Sequence, residues 1–213
     1  MNSIIQAVAG RSSLMRPAES VAEPVADIAL LLEGTYPYVR GGVSSWVHQI
    51  ISGLPEFTFA VIFIGGQKEM YGSAQYQFPP NVTHVETHYL LHHGSLAKPH
   101  ARKGKRRPFQ EMEELHAYMR QPGELPDGKM ISAFARLGSA GGISQEDFLY
   151  SEASWDYITR QYKERCTEPS FVDYFWAIRA MHTPLFVLAD IAGGLPPVRA
   201  VHAISTGYAG LLG

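Results

Sequence analysis

Glu33 is followed by seven residues, Gly34 to Arg40, and then by Gly41-Gly42-Val43. Glycines opening a helix present backbone N–H groups that have no intrahelical partner and carry partial positive charge. With no Cβ in the way, an anionic group reaches that backbone closely. A phosphate or a carboxylate is the natural guest, and Arg40 could add a two-pronged charged contact. The same Gly-Gly pair could instead only let a helix pack tightly on a sheet, and the sequence leaves both open. Gly34 stands alone after the preceding strand, so the G-x-G-x-x-G fingerprint is absent, as is G-x-x-x-x-G-K-[ST]. Neither a dehydrogenase nor a P-loop NTPase is indicated. Tyr36 and Tyr38 lie on the loop before the glycines, where aromatic rings could stack on sugar rings or simply pack.

Other clusters carry less. His84, His88 and His92 are spaced by four, with His93 next. On a helix they would form a metal-ligating stripe. Val82, Thr83, Val85, Thr87 and Tyr89 favour a strand, where residues four apart share a face but stand about 13 Å apart. The expectation is therefore a polar strand edge or cleft wall, with no metal. Lys98 to Arg107 holds six basic residues and reads as a solvated loop or a contact for an anionic surface. Cys166 has no paired base in the sequence and is expected to be structural. Phe171, Tyr174, Phe175 and Trp176, at helical spacing, are expected in the core.

These residues need elements to hold them. Asp27 to Leu32 is apolar after its first residue, which suits a strand covered on both faces. Val43, Trp46, Val47, Ile50, Ile51 and Leu54 recur on one face of a helix that opens at Gly41-Gly42 and closes at Gly53 and Pro55. Phe57 to Ile64 is a second strand, giving a β-α-β unit, and Val82 to Tyr89 a third. Phe109 to Arg120 is predicted helical, Pro122 to Gly128 a break. Ser144 should cap a helix over Gln145 to Leu149, and Glu152 to Cys166 should form another. Asp173 to Ala192 reads as a long apolar helix kinked or restarted at Pro184. Val198 to Ile204 is a short strand, and Thr206 to Leu212 opens a further helix. Residues 1–25 read as a flexible leader. The whole predicts a three-layer, Rossmann-like α/β domain with a mostly parallel sheet. Ending just after a strand and the first turns of a helix, it looks cut from something longer.

Composition excludes several classes. The chain has 213 residues, 46% hydrophobic and 18% charged, with net charge −2 and one cysteine. It can bury a core, is not built to coat nucleic acid, and has no internal disulfide framework. No apolar run approaches the roughly 20 residues that span a bilayer, and the first ten residues lack a secretory signal pattern. The expected location is the cytoplasm.

The stretch from Ala26 to Ile51, with its Glu33-x7-Gly41-Gly42-Val43 pattern, resembles the opening of a GT-B glycosyltransferase of the retaining, glycogen-synthase-like family four. Val201-His202-Ala203-Ile204-Ser205-Thr206-Gly207-Tyr208-Ala209-Gly210 strengthens the likeness, which runs towards enzymes of exopolysaccharide synthesis. The resemblance implies an active site between two Rossmann-like domains, of which this is the N-terminal, acceptor-side one. A C-terminal domain, absent from these residues, would bind the nucleotide-sugar. It further implies that Arg40, Gly41 and Gly42 meet the donor diphosphate of a UDP-sugar substrate. Glu33, Tyr36 and Thr206 would line the acceptor cleft, with His202 as the catalytic candidate. The family strand often ends His-x-His; here Ile204 stands at the second position. No cofactor and no metal are implied. The partners would be the UDP-sugar, the polysaccharide acceptor and membrane-bound synthase subunits. A non-catalytic polysaccharide-binding or synthase-docking module, using residues 92–107, is the alternative.

Overall fold

The computed structural model describes residues 23–91, 100–120, 136–139, 141–165, 167 and 170–213. Most of the leader, His92, His93, Lys98, the break at 122–128 and Cys166 lie outside the described residues. The elements run β1 (Ala26–Glu33), α1 (Gly42–Gly53), β2 (Phe59–Gly65), a 3-10 turn (Lys68–Met70), β3 (Val82–Tyr89) and α2 (Arg106–Met119), then α3 (Gln145–Tyr150), α4 (Glu152–Arg165), α5 (Phe171–Gly194), β4 (Val198–Ala203) and α6 (Tyr208–Leu212).

The four strands form one sheet in the order β3-β2-β1-β4, with every pair parallel. The apolar runs of β1 and β2 need cover on both faces, and they have it. Leu30, Leu32, Phe59 and Val61 pack with Val47 and Ile51 of α1. Ala29, Leu31, Ala60, Ile62 and Ile64 pack with Leu188 and Ile191 of α5 and Ala209 of α6. This is a three-layer, Rossmann-like α/β arrangement. Each fully buried Leu or Ile contributes about 1.5–3 kcal/mol of transfer free energy.

Two expectations about helix faces fail. On α1, the buried residues are Ser44, Val47 and Ile51, while Val43 and Trp46 are each 46% exposed. The buried face of the helix is rotated from the apolar stripe, and Trp46 lies beside His202 of β4. On α5, Phe171, Tyr174 and Phe175 pack against a third cluster, but Trp176 is 62% exposed and is not core. The helix passes through Pro184 without a restart. Proline cannot donate to Ala180 O. In the preceding turn, His182 Nδ1 donates to Ile178 O and Thr183 Oγ1 to Arg179 O, at 2.8 and 2.7 Å.

That third cluster is a helical annex between β3 and β4. Phe109 of α2, Phe148 of α3, Ala153, Tyr157 and Ile158 of α4 and Phe186 of α5 are its core. The basic segment is not a plain solvated loop. Arg106 and Arg107 begin α2, and Arg102 reaches Glu146 and Asp147 at 2.6 and 3.0 Å. The carbonyls of Arg102 and Lys103 accept from the N–H groups of Glu152 and Ala153, the first two residues of α4. Gly104, at φ +68°, lies so close to Ser151 that a Cβ there would come within 2.6 Å of it.

Candidate functional site

The chain leaves β1 for α1 on one face of the sheet and leaves the adjacent β4 for α6 on the other. Neighbouring parallel strands whose following helices diverge in this way open a crevice at their carboxyl ends, where α/β proteins bind ligands. Two segments border it: Glu33 to Val43, and Ser205 to Ala209.

On the first segment, residues 39–43 are all exposed. Gly41 is the N-cap of α1, with no side-chain cap, and the first turn holds no acidic residue. Gly41 has φ 170°, an extended conformation open to any residue. A Cβ on Gly41 or Gly42 would meet nothing within 4 Å among the described residues. Tight packing of helix on sheet therefore does not explain the glycine pair, and the alternative left open by the sequence falls. In the same first turn, Ser45 Oγ lies 3.2 Å from Tyr76 Oη, placing a hydroxyl pair beside the free amides. Tyr76 carried no signal in the sequence, because only the tertiary fold brings its loop here.

On the second segment, Glu33 is engaged rather than free. Its carboxylate accepts from Ala209 N–H at 3.3 Å and Ser205 Oγ–H at 3.4 Å. It thus supplies the acceptor that the start of α6 needs. A Cβ on Gly207 would come within 2.5 Å of Glu33 Oε2, so glycine permits this approach. Thr206 is exposed at the same turn. His202 is exposed on β4, paired in register with Leu30, and meets the ring of Trp46 edge-on at 6.3 Å.

Tyr36 does not line the crevice. It is fully buried, packed on Tyr76 and Phe78, with its hydroxyl 3.4 Å from His48 Nδ1. Burial pushes its hydroxyl up to about 12. Tyr38 is also a packing residue, edge-on to Phe63 at 4.7 Å and bonded to Thr87 Oγ1 at 3.0 Å. The loop is short, so its rings turn into the core that the sheet ends leave open.

Away from the crevice, His84 and His88 share a face of β3 and converge on Glu86. Their Nε2 atoms lie 2.7 and 2.8 Å from its two oxygens. Burial raises the Glu86 pKa, but hydrogen bonds from both imidazoles outweigh this and hold it below the usual value. Among the described residues no group of three or more His, Cys, Asp or Glu could hold a metal ion. Also among them, no helix is long and apolar enough to cross a membrane. In the annex, His116 Nδ1 lies 3.0 Å from Tyr157 Oη, and its ring is 5.6 Å from His182. Burial lowers both imidazoles, His116 to about 4.

Residues 26–213 match a family described as a domain of unknown function, DUF3492. No curated protein and no solved structure matches the chain.

Proposed function

Because the chain belongs to the DUF3492 family, a glycosyltransferase-associated family of N-terminal domains, we propose that it is the acceptor-side half of a retaining GT-B enzyme. In this reading the enzyme moves a hexose from a UDP-sugar to a growing exopolysaccharide. The likeness of residues 26–51 and 201–210 to PelF, the glycosyltransferase of Pel exopolysaccharide synthesis, supports that acceptor class. The observation that carries the reading is the uncapped, unobstructed start of α1 at the crevice.

The chemistry follows from that geometry. Breaking the bond between the sugar's anomeric carbon and the diphosphate leaves negative charge on the departing phosphate oxygens. Amides already aimed at that position stabilise the charge without reorganising. Gly42 and Val43 supply such amides, and Arg40 stands exposed one residue before the pair. Ser45 and Tyr76 can hydrogen-bond the same anion or the sugar hydroxyls. Across the crevice, Thr206 and His202 face the acceptor, while Glu33 holds the β4–α6 turn in place instead of touching substrate. The nucleotide itself is assigned to a second domain outside these residues, so the 213-residue chain alone binds the diphosphate weakly and transfers no sugar.

Calorimetric titration with UDP and with inorganic phosphate tests this. Gly42→Val should lose UDP binding at least tenfold while its circular dichroism stays unchanged. Equal UDP binding by parent and variant overturns the site. Transfer from a UDP-sugar by the isolated chain overturns the assignment of the nucleotide to a second domain.

A further inference from the structure

We propose that the outer face of the helical annex is a docking surface for an anionic lipid bilayer. Two independent features meet there. The first is apolar: Trp155 is 52% exposed, Val172 60% and Trp176 62%. A domain that stays free in water seldom leaves so much large apolar surface together. The rings are fixed, since Trp155 lies 5.5 Å from Phe171 and 6.0 Å from Phe175, and Phe175 lies 5.4 Å from Trp176. Tryptophan, with an apolar ring and a polar N–H, is a side chain that membrane interfaces favour.

The second feature is charge. Lys103, Lys105, Arg106 and Arg107 are all exposed, and the first turn of α2 contains no acidic residue. Cations at that end of a helix oppose its dipole, so the fold gains nothing from them there. Arg106 pairs with Asp156 and Arg107 with Glu111, but the arginine side chains are 79% and 87% exposed. Pairs so open to solvent contribute little and can be exchanged for lipid phosphates. Lys103 and Lys105 take part in no ion pair among the described residues.

The two features are continuous. Asp156, which meets Arg106, is the neighbour of Trp155 on the outer face of α4. A second copy of the chain laid on this face would bring its own four cations against these, whereas an anionic bilayer supplies opposite charge and an apolar layer together.

The test is co-sedimentation of the purified chain with phosphatidylcholine vesicles, with and without phosphatidylglycerol, joined to tryptophan emission of a Trp46→Phe variant. Binding only to the anionic vesicles, weakening with salt and with a blue shift, is expected. Lys103→Ala, Lys105→Ala and Arg107→Ala together should weaken it about a hundredfold, at about fivefold per cation. Trp155→Ser with Trp176→Ser should weaken co-sedimentation with the anionic vesicles at least tenfold. Gly42→Val should bind vesicles as the parent does, so this surface and the crevice fail or stand separately. No binding to anionic vesicles, equal binding to neutral ones, or a lipid-free dimer broken by Trp176→Ser would overturn the proposal.

Discussion

α1 and α4 begin in opposite ways. At the start of α4, Glu152 N–H donates to Arg102 O at 2.9 Å and Ala153 N–H to Lys103 O at 3.1 Å. Ser154 N–H donates to Ser151 Oγ at 3.1 Å. The first two donors are satisfied by a strap of chain that a left-handed glycine lets close in, and the third by the hydroxyl of the residue before the helix. At the start of α1 no side chain caps the amides, and two glycines stand where any small residue would fit. Free N–H groups at a helix start are the same elementary problem in both places. The annex solves it internally, and in the function proposed above the crevice leaves it to a ligand.

The largest effect should come from closing the gap that the strap needs. Gly104→Ala combines positive φ with a Cβ 2.6 Å from Ser151 and should destabilise by about 2–4 kcal/mol in urea unfolding. A loss below that range would mean the strap is not what holds α4.

Acid comes next and again acts on the annex. His116 is held to about 4 and His182 below its ordinary value, both chiefly by burial. Between those values and the ordinary 6.5, the unfolded chain binds protons that the folded chain refuses. Stability is therefore full above pH 6.5 and falls as pH drops towards 4. With solvent screening at the partly exposed His116 discounted, the loss is about 1–2 kcal/mol. Urea midpoints that stay flat from neutral to acid pH would sink this.

Ser144→Ala removes the cap of α3, where Ser144 Oγ accepts from Asp147 N–H at 3.0 Å, and should cost about 1 kcal/mol. The smallest effect sharpens the contrast most. Gly42→Ala meets nothing and adds helix propensity, so thermal unfolding should place it within about 0.5 kcal/mol of the parent. A substantial loss would show that the fold, rather than a ligand, requires the glycine.

The sheet was legible because its rules are local. Leu30 to Leu32 suits a strand buried on both sides, and Ser144 before Gln145-Glu146-Asp147 suits a cap. Gly41-Gly42 could be placed at a helix start, but its surroundings could not, since empty space leaves no trace in a sequence. Tyr36 was misplaced for the converse reason: a loop aromatic next to a strand end faces core or solvent according to neighbours forty residues away, such as Tyr76 and Phe78. Trp176 shares helical spacing with Phe175 and Tyr174, and periodicity alone does not say where the partner helices run out. The strap hid in its own composition, because a run of lysine and arginine speaks of side chains while its carbonyls do the capping.

Among the described residues β4 has a sheet neighbour on one side only, and its outward main-chain groups form a template for an extended segment. Arg199 stands on that strand with its guanidinium drawn back to Asp27 Oδ1 at 3.1 Å. A second molecule pairing there strand to strand would set its own Arg199–Asp27 pair against this one.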